Sequence, residues 1–169
     1  MKKLFFTTMI ALFLLICSSG IQAQTTQTKL NQVELAKQFL GTWQNESENG
    51  AIRVVEITCF RNGGFEQYKK DISKDKIISE TKYLWGYDKI NDKYILASIG
   101  NDKPDLNLRV IWFTSKNTCE YFPYTYISNP EQVTSKTIYE FKSPDMFTAT
   151  GMKDKKPAGT TIWTRVKSE

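Results

Sequence analysis

Histidine carries much of the acid–base and metal chemistry proteins perform near neutral pH, and this chain of 169 residues contains none. That absence removes histidine-held zinc, histidine-ligated haem, the Ser-His-Asp triad and the Cys-His nucleophile together. Carboxylates are the remaining acid–base resource. Glu56, Glu66, Glu80, Glu120 and Glu140 stand in alternating segments at the phase that points outward. No spacing in the chain sets two of them up as the acid and base of a glycosidase, a pairing that would be spatial. A thiolate nucleophile at Cys59 or Cys119 needs a cationic activator such as histidine. The expectation is a protein that is not an enzyme, with no metal and no cofactor.

What the sequence does offer is aromatic rings with hydrogen-bonding tips. Tyr83, Trp85 and Tyr87 alternate along one segment and so share a face. Trp112 follows Leu108 and Val110 at the same phase, Tyr124 and Tyr126 follow Phe122, and Tyr139 precedes Phe141. Turned inward, Tyr83, Trp85, Tyr87, Trp112, Tyr124, Tyr126 and Tyr139 would line a site for a ligand with an apolar body and a few polar groups. The competing reading is that the same rings fill a core. This phase turns Arg109 outward; the inverted register would make it a buried cation suited to a carboxylate.

The elements that must position these rings are mostly strands. Leu30, Val33, Leu35, Ala36, Phe39 and Leu40 recur at helical spacing, and Gly41 stops the run, so one short helix is expected first. Thereafter β-branched and aromatic segments are punctuated by turns: Thr42 to Glu46, Ala51 to Phe60, Phe65 to Ile72, Lys76 to Lys89, Tyr94 to Ile99, Leu106 to Ser115, Thr118 to Ile127, Val133 to Lys142, Met146 to Gly151 and Thr160 to Val166. Asn49-Gly50 is a hairpin signal. Eight to ten consecutive strands joined by tight hairpins form a meander, which removes its edges by closing on itself. The fold class expected is all-β, an up-and-down antiparallel β-barrel preceded by one short N-terminal helix. An immunoglobulin-like sandwich, with its Greek-key crossovers, is the second choice.

Met1-Lys2-Lys3 followed by the uncharged, mostly apolar run Leu4 to Cys17 reads as a secretory leader. The run falls short of the ~20 residues a transmembrane helix needs. Ile21-Gln22-Ala23 fits a cleavage site, dividing the chain into a signal peptide at 1–23 and one domain at 24–169, with periplasmic or secreted placement. Acylation at Cys17 is the competing reading, and Ile16, where a small residue is usual, counts against it. Losing Lys2 and Lys3 leaves 21 basic against 18 acidic residues, spread along the chain, so nucleic acid is not an expected partner. The Lys153 to Lys156 run reads as a solvated hairpin tip. Cys59 and Cys119 fall at the same end of a meander on non-neighbouring strands. They are a candidate disulfide only if the rim folds inward to bring their Cα atoms within ~7 Å; otherwise both are small buried or rim residues.

The helix, then Gly41-Thr42-Trp43 at the start of the first strand, then the long meander resembles the lipocalin-like (calycin) superfamily, whose hallmark is a Gly-x-Trp in this place. The resemblance implies that Gly41 turns the chain from helix into wall, that Trp43 plugs the closed end, and that Arg165, in Ile162-Trp163-Thr164-Arg165-Val166, packs over the ring as a structural lock. Haem-binding nitrobindin-type barrels also open with Gly-x-Trp but hold iron through a histidine, which this chain lacks. The leading functional expectation is a small hydrophobic or amphipathic ligand in an aromatic-lined cavity. The alternative is a filled barrel whose loops at Ile99 to Asp105 and Ser128 to Val133 contact a protein partner.

Overall fold

The computed structural model describes residues 29–47, 50–61, 63–101 and 105–167. The leader, its cleavage site and Cys17 lie outside the described residues, as does Asn49 of the expected hairpin turn. Asn31 opens helix α1 (Gln32–Ala36), its side-chain oxygen accepting the Glu34 N–H. A 3₁₀ turn, Lys37–Phe39, carries the chain on, and Leu40 then swings to extended backbone. Gly41 follows with φ +110°, a conformation natural to glycine, and a Cβ there would run into the Arg165 guanidinium.

Ten strands follow: β1 (Gly41–Glu46), β2 (Ile52–Phe60), β3 (Gly64–Ser73), β4 (Lys76–Asp88), β5 (Lys93–Gly100), β6 (Asn107–Phe113), β7 (Thr118–Pro123), β8 (Lys136–Ser143), β9 (Met146–Lys153) and β10 (Lys156–Arg165). Each pairs antiparallel with the next, and β1 pairs with β10 through Trp43 opposite Arg165, closing an up-and-down barrel. Two hairpins are tighter than their sequence signals. Lys74-Asp75 joins β3 to β4 and Asp154-Lys155 joins β9 to β10, all four residues at positive φ. That is the two-residue hairpin geometry whose hand matches strand twist, here built without glycine. The stretch left between the expected strands Met146 to Gly151 and Thr160 to Val166 is therefore mostly strand.

One end of the barrel is closed by the helix. Phe39 enters the barrel and its ring meets Trp85, Phe113, Tyr139, Phe141 and Phe147 at centroid distances of 4.9 to 6.1 Å. Gln32 is 3 % exposed. Its amide donates to the Phe113 carbonyl at 2.9 Å and accepts the Phe113 N–H at 2.8 Å. The β5–β6 ladder has ended by then at Tyr94 opposite Ile111, so one side chain substitutes for the missing strand.

The register of β6 and β7 is the inverse of the expected one. Ile111, Phe113 and Cys119 join the barrel core, whereas Val110 and Phe122 form a separate cluster with Ile127 and Val133. The cause is a chain excursion after β7. Pro123, without an N–H to extend the ladder, is followed by two 3₁₀ turns, Tyr124–Tyr126 and Pro130–Gln132, and Ile127 and Val133 then pack against the outer wall. Apolar residues are thus buried on both faces of β6, and alternation loses its meaning there.

Cys59 and Cys119 are not bridged: Cys59 is exposed, Cys119 is buried, and both thiols are free. Burial pushes the Cys119 thiol well above its ordinary range, so it stays protonated.

Candidate functional site

Trp43 and Arg165 set the floor of the site. Trp43 is 1 % exposed and its indole N–H donates to the Phe39 carbonyl at 2.8 Å. The Arg165 guanidinium lies 4.1 Å from the Trp43 ring centroid. It donates to the carbonyls of Leu40, Gln38 and Pro144, tying the end of the helical segment to the last strand.

Above that floor the inner wall leaves a cavity of about 210 Å³. Its sides are Trp85, Leu96, Ile111, Phe147 and Trp163, and its polar groups are Tyr83, Tyr121, Tyr139, Gln67, Arg53 and Lys69. Trp163 is 8 % exposed, and its Nε1–H has no hydrogen-bond partner among the described residues. Gln67 Oε1 accepts the Trp85 Nε1–H at 3.0 Å, which commits its acceptor and leaves its NH₂ as the free end.

The cavity's tyrosines are kept neutral. Burial pushes Tyr139 well above its ordinary value, and burial followed by the neighbouring Tyr83 takes Tyr121 up to about 12. Burial also raises Tyr83, against the pull of Arg53 and Arg109. At neutral pH all three hydroxyls can therefore donate.

Toward the open end the inner wall becomes charged. Arg53 meets Asp71 through Nε at 2.5 Å and Nη2 at 3.4 Å, and Lys69 Nζ reaches the same carboxylate at 3.3 Å. Burial raises the Asp71 carboxyl, but Arg53 and Lys69 together outweigh it and hold Asp71 below the usual carboxylate range. Arg109 donates to Asn107 Oδ1 at 3.2 Å and lies 5.7 Å from the Tyr121 ring centroid.

No protein-family model and no curated protein matches the chain. Among the described residues, no group of three or more Cys, Asp or Glu side chains is gathered as metal ligands.

Of the expected ligand-facing rings, Tyr83, Trp85 and Tyr139 come together at the cavity. Tyr87 faces the closed end, its ring 5.5 Å from Tyr94 and its hydroxyl bonded to Asp92. Trp112 and Tyr126 are corrected to the outer wall, packed on the Val110 cluster, with Lys93 Nζ 5.0 Å above the Trp112 ring. Tyr124 is corrected to a partly exposed position in the 3₁₀ turn after Pro123. All three follow from the inverted register and the early end of β7. Arg109, expected outside, faces inward for the same reason.

Arg53, Gln67, Lys69, Tyr121 and Trp163 also line the cavity, though none is among the expected ligand-facing rings. A signal existed for two of them: Arg53 is in phase with Val55 and Ile57, and Lys69 with Phe65 and Gln67. Charged residues in phase with a buried face mark a place where the wall opens to solvent or ligand.

Proposed function

We propose that this is an exported, lipocalin-like barrel that binds a small amphipathic molecule in its aromatic-lined cavity and performs no chemistry on it. The observation that carries this reading is the hollow of about 210 Å³ that the barrel keeps among Trp85, Leu96, Ile111, Phe147 and Trp163, in a core otherwise closed by ring contacts. The Gly41-Thr42-Trp43 turn locked by Arg165 supports the lipocalin-like assignment, and the leader pattern at Met1 to Ala23 supports export. A binder fits the titratable groups better than a catalyst does: the tyrosines are held protonated, and Asp71 is held ionised between two cations.

A second reading, a protein-binding exterior, is favoured by one feature. Leu84, Ile99 and Leu106 are 56 %, 53 % and 62 % exposed and border an outer groove of about 810 Å³.

Methyl NMR separates the two. Titration with the neutral probe 2-naphthaleneethanol should shift the methyls of Val55, Ile57, Leu96 and Ile111, which line the cavity. Shifts confined to Leu84, Ile99 and Leu106 would favour the exterior and contradict the cavity reading.

A further inference from the structure

The polar groups facing the cavity are lopsided in kind. Tyr83, Tyr121, Tyr139 and the free end of Gln67 can all donate hydrogen bonds. The charge is lopsided too. Arg53 and Lys69 divide the single carboxylate of Asp71, while the partners of Arg109 are the neutral Asn107 amide and the Tyr121 ring. Among the described residues, the inner wall near the open end thus sets three cations against one carboxylate. In a recess walled by low-dielectric protein, an uncompensated positive charge is screened less than on an open surface and attracts anions.

We infer that the cavity selects small amphipathic anions, with a carboxylate-type head held by Arg53 and Lys69 and an apolar body seated against Trp85 and Trp163; this rests on the ligand-binding reading above. An anion sharing Arg53 and Lys69 with Asp71 would complete their pairing. A ligand ammonium would meet the same cations as repulsion.

Three probes that share one ring and differ in the head group test this: 2-naphthaleneacetate, 2-naphthaleneethanol and 2-naphthaleneethylammonium, each titrated calorimetrically into the full chain at low ionic strength. The acetate should bind at least tenfold more tightly than the alcohol, the ammonium most weakly, and added salt should erode the acetate's advantage. Lys69→Gln and, separately, Arg53→Gln should each bring the acetate-to-alcohol affinity ratio down toward one, with circular dichroism confirming the fold. Asp71→Asn, which releases both cations, should strengthen acetate binding. Equal affinity for acetate and alcohol would overturn the selection for anions and leave the cavity reading intact. Failure of all three probes to bind would overturn both.

Discussion

Trp43 spends its indole on three tasks: its N–H ties the strand to Phe39, its face receives Arg165, and its ring packs edge-to-face with Phe147, centroids 4.7 Å apart. Trp43→Ala should therefore destabilise the barrel by about 3 to 5 kcal/mol in urea unfolding; a loss well under 1 kcal/mol would show that the ring is not the floor. Arg165→Ala removes the cation and its donors from three carbonyls. In a double-mutant cycle the Trp43 and Arg165 substitutions should cost less together than the sum of each alone, because they dismantle one contact. Asp71 gives a pH test whose sign is fixed. Its folded value is depressed, so its contribution to stability is full above the unfolded value of about 3.9 and lost as pH falls through the folded one. Asp71→Asn should flatten the acid limb of the stability profile; an unchanged limb would remove the Arg53 and Lys69 pairing from the account.

A five-residue helix such as α1 has no stability of its own, so tertiary contacts must hold it. Gln32 supplies the polar part by occupying the N–H and C=O of Phe113, and Phe39 supplies the apolar part. Gln32→Leu would strand two buried backbone groups and should cost about 2 to 4 kcal/mol, with amide exchange at Phe113 accelerating before that of mid-barrel strands. Unchanged exchange there would mean the helix lies beside the barrel and does not close it. At this scale the sequence was most legible where one face of a strand meets solvent. Tyr83 and Trp85 could be placed by alternation because their neighbours Lys82, Leu84 and Gly86 do not compete for the core. β6 could not be phased, since Val110 and Trp112 outside rival Ile111 and Phe113 inside. Nor does alternation show that the chain after Pro123 doubles back over the wall, because that contact joins residues distant along the chain.

For the molecule as a whole, the meander and its punctuation were enough to anticipate a closed up-and-down barrel with a leading helix. Closure itself depends on β1 meeting β10, where Trp43 faces Arg165 across the ladder. The cavity was only half legible. Its rings could be read from Tyr83, Trp85 and Tyr139, but its charge sits in Arg53 and Lys69, residues that look like ordinary surface until strand phase is taken seriously. The resulting interior has a plugged floor, an apolar middle and a cationic mouth, an arrangement with one polar end and one apolar end like the ligand proposed for it. Native mass spectrometry of the chain, purified without organic solvent from its native cells, tests that claim most directly. The account predicts a reproducible added mass from a small acidic molecule, lost on denaturation. A spectrum of bare protein throughout would contradict it.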